Sequence, residues 1–276
     1  MPSLAQGLYE LLITQLLEEQ LRHPQLQGTP DVDELRNAEA ADRIALHVAK
    51  VVERAIEDVP AEDRSVEGVK LARLLIKLIA QHVGADQLSA MQLADPATVL
   101  RSIRRQLPDG RPQDIPRPLI PLLDTTLLTN APGEPRVGHQ IQAEIASADR
   151  IDLVMAFIRR TGINPLMDTL RQHIDDGKPL RVLTTVFTGS TEAEAIEALL
   201  KLGARVRVSY DTTSTRLHAK AWLFHRESGY STAYVGSSNL THSAQVSGLE
   251  WNVRVSGARN RPVIDKVAAV FESYWQ

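Results

Sequence analysis

Seven prolines crowd into residues 107–135: Pro108, Pro112, Pro116, Pro118, Pro121, Pro132 and Pro135. Each removes a backbone donor and fixes φ, so neither a helix nor a central strand survives that density. The stretch reads as an extended linker, and the hydrophobic pattern changes across it. A chain of 276 residues has room for two domains of ~100–200 residues. The expected organisation is a domain over 1–106, a linker over 107–135 and a second domain over 136–276.

Before the prolines the apolar residues recur at helical spacing. Residues 4–23 carry Leu8, Leu11, Leu12, Leu16, Leu17 and Leu21; residues 39–58 carry Ile44, Val48, Val51, Val52, Ala55 and Ile56. Residues 66–82 continue with Val69, Leu71, Leu74, Leu75, Leu78 and Ile79. Pro30, Pro60 and Gly84 punctuate these runs, and Asp95-Pro96 opens a further short helix ending near Gln106. The first part is therefore a small all-α domain. It holds no catalytic constellation and reads as a packing or partner-docking module.

After the prolines, strand and helix alternate. Ile151–Ile158, Leu180–Val186, Ala204–Tyr210, Arg216–Phe224, Thr232–Val235 and Leu249–Ser256 read as strands. His139–Ala148, Asn164–Asp176, Thr191–Leu202 and Arg261–Trp275 read as helices, with Gly177 as a C-cap and Ser190 or Thr191 opening a capping box with Glu194. Strands joined by helices imply an α/β fold with a covered, largely parallel sheet. The closely spaced last three strands make that sheet mixed.

Composition narrows the chemistry. There is no cysteine, hence no disulfide, thiolate nucleophile or Cys-ligated zinc. The histidines outside the motif below are scattered surface or capping residues, so no metal site and no cofactor is expected. Met1 to Gln20 lacks a basic n-region and an apolar h-region, and no run reaches the ~18–20 apolar residues of a membrane span. The chain reads as soluble and cytoplasmic, without a membrane partner. Its net charge of −3 does not decide about anionic ligands, which need only a local patch. Residues 131–276 hold 17 Lys+Arg against 15 Asp+Glu, whereas residues 1–130 hold 14 against 19. The second domain is the likelier place for a phosphate.

Within it, RLHAKAWLFH (216–225) puts His218 and Lys220 two residues apart, on one face of a strand. Two basic groups inside an apolar strand are costly unless something compensates, and an anion between them would do so. Next come Gly236, Ser237, Ser238 and Asn239, where a glycine lets the backbone approach a ligand and short polar side chains open a helix suited to anions. Then LEWNVRV (249–255) sets Glu250 in an apolar strand. Its carboxylate could accept a bond from His218 and fix the tautomer, which is what a nucleophilic or acid–base histidine requires.

His218-Ala219-Lys220, Gly236-Ser237-Ser238-Asn239 and Glu250 together resemble the phospholipase D superfamily signature, H-x-K followed by G-S-x-N. The resemblance covers about 131–276. With LYELL near the start, LLTNAPGEP at 127–135 and GLEWNVRVS at 248–256, the chain also resembles the N-terminal region of bacterial proteins joining such a domain to a superfamily 2 helicase. No Walker A motif occurs here, so a helicase would be a separate partner or a fused domain outside these residues. The resemblance implies a metal-independent nuclease. One histidine attacks phosphorus to give a phosphohistidine, a second protonates the leaving oxygen, and water resolves the intermediate. Carried over, His218 is nucleophile or general acid, Lys220 and Asn239 clamp the phosphate with Ser237 and Ser238, and Glu250 orients the histidine. A chain with one H-x-K must then pair as a homodimer across a two-fold axis. The expected substrate is nucleic acid, DNA rather than RNA. The alternatives are a nucleic-acid-binding module with weakened catalysis and a phospholipase-type phosphodiesterase.

The fuller signature has aspartate where this chain has His225, read as a strand-end surface residue. Thr184-Thr185 and Thr188–Thr191 lie where α/β sheets bind ligands, with Thr185 a substrate-binding candidate and helix capping an equal account of Ser190 and Thr191. Arg216 could meet a phosphate or a partner carboxylate, and Arg159-Arg160 a nucleic-acid backbone, although a solvated pair is the simpler reading. Trp222 and Phe224 continue the face of His218 and could pack a dimer contact, with plain core the simpler reading, and His242 stands close behind the GSSN turn.

Overall fold

The computed structural model describes residues 4–131, 133, 136–187, 189–211, 217–241 and 250–276. These divide into two compact units, Met1–Ile103 and Arg104–Gln276.

The first unit is helical, with α1 (Gln15–Leu21), α2 (Asn37–Glu57), α3 (Arg64–Val83) and α4 (Asp86–Ser89). Thr14 caps α1 by accepting the Leu17 N–H at 3.2 Å, and α3 ends on Gly84 at φ 68°, the left-handed conformation glycine adopts without strain. The α2–α3 turn is clasped by Arg64, whose guanidinium donates to the carbonyls of Glu57 (2.8 Å) and Val59 (3.0 Å). Two expected helices fall short of their hydrophobic period, one in length and one altogether. The one expected over 4–23 covers 15–21, and none forms over 96–106. Helices below ~12–15 residues are marginal in water without a packing partner. Leu8, Leu100 and Ile103 find none and stay open to solvent. Among the described residues of this unit Ala80 alone is buried.

The second unit is a seven-stranded mixed sheet: β1 (Thr126–Leu128), β2 (Arg150–Met155), β3 (Leu180–Thr185), β4 (Arg205–Ser209), β5 (Lys220–His225), β6 (Thr232–Gly236) and β7 (Asn252–Ser256). Their spatial order is β1-β7-β6-β5-β2-β3-β4. Strands β2, β3 and β4 run parallel, and the other pairings are antiparallel. Around them lie α5 (Val137–Ser147), α6 (Arg160–Ile163), α7 (Met167–Asp175), α8 (Ala193–Leu202) and α9 (Arg261–Trp275). Alternate strand residues face opposite sides. Leu153, Met155, Val182, Trp222, Phe224 and Tyr234 bury against α5, α7 and α8, while Val154, Leu183, Ala221, Leu223, Ala233 and Val255 bury against α9 through Phe271 and Ile264. Each fully buried Leu, Ile or Phe contributes ~1.5–3 kcal/mol. Trp222 and Phe224 are core, stacked at 5.6 Å.

Three local readings change. The proline-rich segment is more than a linker: within it β1 pairs with β7, and its approach is pinned by Arg254 and Ser256. Arg254 donates to the carbonyls of Pro121 (3.0 Å) and Asp124 (2.7 Å), and Ser256 to that of Leu122 (2.6 Å). The N-cap of α8 is Glu192; Thr191 instead donates to the Thr185 carbonyl at 2.8 Å, closing the β3–α8 loop. His173 is not a surface residue but is buried, between the carbonyls of Ile145 and Pro179 at 3.2 Å each. Gly177, at φ 77°, follows the C-cap of α7 as its sequence position suggests.

Three charged groups of the core, Glu144, Arg226 and Arg254, are tied into one network that periodicity does not announce. Glu144 of α5 is inaccessible to solvent. One carboxylate oxygen accepts from Arg226 (2.5 Å) and Thr232 (2.8 Å), the other from Arg254 (2.9 Å) and Tyr234 (3.0 Å). Burial alone would raise its pKa, but the two guanidiniums outweigh it and hold the carboxyl below its usual range. The network fastens α5 to β6 and β7.

Candidate functional site

The antiparallel register of β5, β6 and β7 assembles the motif. Lys220 opens β5 opposite Met155 of β2; β6 ends on Gly236 opposite Asn252 of β7. Motif residues from distant stretches therefore reach one end of the sheet together. Gly236 is required there for a reason other than ligand approach. A Cβ on it would stand 2.1 Å from the Trp251 carbonyl oxygen and 2.7 Å from Asn252 Cα, so any side chain would drive β6 from β7.

His218 sits exposed just before β5, and Lys220 is buried. The Lys220 ammonium lies 3.3 Å from each ring nitrogen of His218 and donates to the His218 carbonyl at 3.0 Å. Burial pushes its pKa below the ordinary lysine value, and the charge of Glu250 opposes that shift. Phe157, just beyond β2, meets the His218 ring edge-on at 5.8 Å and lies 5.9 Å from the ammonium. The Phe157 carbonyl also accepts the Leu240 N–H at 3.1 Å, and the Leu240 carbonyl accepts the Arg159 N–H at 3.0 Å. One short segment thus holds both His218 and the loop carrying Asn239. The crossing is close: a Cβ on Gly162 would lie 2.0 Å from the Leu240 carbonyl oxygen, so α6 needs glycine there.

Asn239 commits its side chain to nothing among the described residues, and its amide oxygen is buried without a partner. It lines a cavity of about 20 Å³ with Lys220, Ser238 and Asn252, floored by Val137 and Ile141 of α5. That is room for roughly one water molecule. Asn252 escapes a motif-based reading, although it stands two residues beyond Glu250 on the same pleat. It is buried and donates to the Ser238 hydroxyl at 2.6 Å. Phe157 escapes too, because a single aromatic at the end of an apolar run carries no chemical signal.

Glu250 does not reach His218. Its carboxylate accepts from the Ser237 hydroxyl, and that hydroxyl in turn accepts the Trp251 N–H at 3.2 Å. The glutamate therefore steadies the serine turn and lends its charge to Lys220. Thr185 lies two strands from β5; its hydroxyl donates to the Ser209 carbonyl at 3.1 Å, joining β3 to β4 rather than lining this site. Arg216, His242 and the helix expected after GSSN fall outside the described residues.

His225 is not a plain surface residue. It contacts Asp152 Oδ2 at 2.6 Å, while Arg181 forks onto the same carboxylate at 2.6 and 2.8 Å and continues to Glu272. Burial raises the Asp152 pKa, but the bonds from His225 and Arg181 overcome it and hold the group ionised below its usual range. The motif position that lacks an aspartate thus meets one from the neighbouring strand.

Residues 141–275 match the family model described as the cardiolipin synthase, phospholipase-D-like domain. No curated protein sequence matches the chain. Among solved structures, Nuc of Salmonella typhimurium, a phospholipase D family member, is 16% identical over 55% of this chain and 95% of its own, with a TM-score of 0.43. NucT from Helicobacter pylori is 12% identical over 55% of this chain and 95% of its own (TM-score 0.43). TrmBL2, an archaeal chromatin protein, is 12% identical over 94% of this chain and 77% of its own (TM-score 0.34). Residues 141–275 form a phospholipase-D-like domain, and this domain belongs to the phospholipase D superfamily.

Proposed function

We propose that this chain is a metal-independent phosphodiesterase that cleaves nucleic acid at a site completed by a second copy of itself. The observation that carries this reading is the contact of Lys220 with His218 beside an uncommitted Asn239. Two potential donors and a potential nucleophile share one end of the sheet without a structural task that requires all three. A phosphate there would receive hydrogen bonds from Lys220 and the Asn239 amide on its non-bridging oxygens. Preorganised donors of this type contribute ~10²–10³ each in rate.

In the first step a neutral His218 attacks phosphorus, the P–N bond forms and the P–O bond to the leaving group breaks. The leaving oxygen takes a proton from the histidine of the second copy, which must enter protonated. In the second step water attacks the same phosphorus. Its proton goes to that second histidine, the P–N bond breaks, and His218 is released. Since one chain has one H-x-K, the acid must come from a twin. DNA is the favoured substrate, and a helicase is the favoured partner, on the motif resemblance alone. A binding module with lost catalysis is the second reading, favoured by His225 at the aspartate position of the motif. The carboxylate of Asp152 against His225 weakens it.

The test is a gel assay on labelled DNA in excess chelator, with His218→Ala alongside the unaltered chain and circular dichroism for both. Chelator-resistant cutting that vanishes in His218→Ala is the expected result. Cutting at an unchanged rate by the variant removes the assignment, and full activity from a strictly monomeric species removes the two-copy site.

A further inference from the structure

A large aromatic side chain stays open to solvent next to the motif turn. Trp251 is 68% exposed, although an aromatic ring of that size is ordinarily placed to bury 150–250 Å². Its backbone is fixed on both sides by the motif turn, since the Ser237 N–H donates to the Trp251 carbonyl at 3.0 Å and the Trp251 N–H donates to the Ser237 hydroxyl at 3.2 Å. The next residue along, Asn252, lines the cavity shared with Lys220 and Asn239. The backbone is thus held at the rim of the sheet one residue from the cavity-lining Asn252, with the ring on the opposite pleat from that side chain. On the same face, Val253, Val235 and Leu127 stand in register across β7, β6 and β1 and are half-exposed. Helix α9 roofs only the farther end of that face, at Val255, Ala233 and Leu223.

We infer that Trp251 is a base-stacking subsite around the rim of the sheet from the phosphate site, so that the preferred substrate is a nucleic-acid strand with unpaired bases. This rests on the phosphodiesterase reading for the position of the scissile phosphate. The Ser237–Leu240 turn is flanked by Arg159, bonded through its backbone to Leu240, and by Trp251, bonded through its backbone to Ser237. The Arg159 side chain is exposed. A strand crossing the turn would meet a cation on one side and a flat apolar ring on the other, which is the pairing of backbone charge and stacking platform that single strands favour. In a duplex the bases are already stacked on one another, and only their edges are offered in the grooves.

The experiment measures binding of the full chain to three labelled probes of equal length: oligothymidylate, an abasic phosphodiester and a duplex. All are measured in the His218→Ala background so that nothing is cut. Adding Trp251→Ala should weaken oligothymidylate binding about 5- to 150-fold, the equivalent of ~1–3 kcal/mol for one stacked base. Abasic binding should be unchanged, and Trp251→Phe should retain most of the affinity. Equal affinity of Trp251→Ala and its parent for oligothymidylate overturns the subsite, as does an equal loss on the abasic probe. A drop in solution mass in Trp251→Ala assigns the ring to a contact between copies and also overturns it. So does binding to anionic vesicles that Trp251→Ala removes while oligothymidylate binding stays intact. The two readings fail separately. Stacking without cleavage by the unaltered chain refutes only the phosphodiesterase, and cleavage without a stacking effect refutes only the subsite.

Discussion

Glu144→Gln tests whether the buried network holds the site in shape. The substitution preserves volume and removes one charge. In the native arrangement all four partners of the carboxylate are donors: Arg226 and Thr232 on one oxygen, Arg254 and Tyr234 on the other. An amide presents one oxygen and one NH₂, so whichever way it turns, two donors face a donor. Two guanidiniums buried at 0% and 7% also lose their counter-charge. Removing one member of such a pair costs ~3–5 kcal/mol, a large part of the ~5–15 kcal/mol that holds a domain together. For a unit of this size the melting midpoint falls ~2–4 °C per kcal/mol, or roughly 6–20 °C here. Urea unfolding followed by tryptophan fluorescence reads the change, because Trp222 lies in the core of the same unit. A loss below about 1 kcal/mol at neutral pH would refute the reasoning. The unaltered protein carries the matching pH signature. The Glu144 carboxyl is held below its ordinary 4.5, so its contribution is complete above that value and disappears as pH falls beneath it. The Glu144→Gln variant should lack this acid limb.

Three further outcomes follow from the site. Phe157→Ala frees the His218 ring and should lower kcat about ten- to a hundredfold with little change in KM, since small misplacements of a reacting group are that costly; Phe157→Leu should recover part of it, and an unchanged kcat removes Phe157 as a positioning residue. Gly236→Ala forces a methyl against the Trp251 carbonyl and should destabilise by ~1–3 kcal/mol, as overpacking does; a melting curve superposable on the parent's would show that β6 and β7 can part without loss. Lys220 has a lowered pKa, and an anion needs its charged form. Affinity for inorganic phosphate should therefore fall as pH rises through a window beneath 10.5, and Lys220→Gln should lack that fall. A fall that begins only above 10.5 contradicts the burial argument.

How much of this was legible in the residues depends on how local each cause is. The apolar runs at 151–158 and 180–186 announce strands because β2 and β3 are buried on both faces, and 204–210 announces the edge strand β4 by its alternation. The period of 261–275 gives α9 its limits because one stripe meets the sheet. Lys220 is legible through chemistry, because a cation at the head of an apolar strand is costly without a purpose, whereas His218, exposed before that strand, and Asn239, in the turn after β6, stand out only through the motif. Strand β1 is not legible, because three residues after a run of prolines have no period and their partner lies more than a hundred residues away. The Glu144–Arg254 pairing is hidden for the same reason, since an isolated glutamate on a helix looks solvated. Gly236 and Glu250 show a different failure. Their positions stand out, yet their tasks are set by neighbours in space, the Trp251 carbonyl and the Ser237 hydroxyl, rather than by a ligand or by His218.

The edge strand contributed by the proline-rich segment sets where the domain can be cut. A fragment starting at residue 136 follows the visible linker but discards β1 and the carbonyls that hold Arg254. It would leave β7 as a bare edge, with unpaired N–H and C=O groups beside Val253 and Trp251, a template for sheet-to-sheet association. Such a fragment should precipitate on expression, whereas one starting at 104 should stay dispersed. The segment that looks most disposable acts as the selvedge of the sheet.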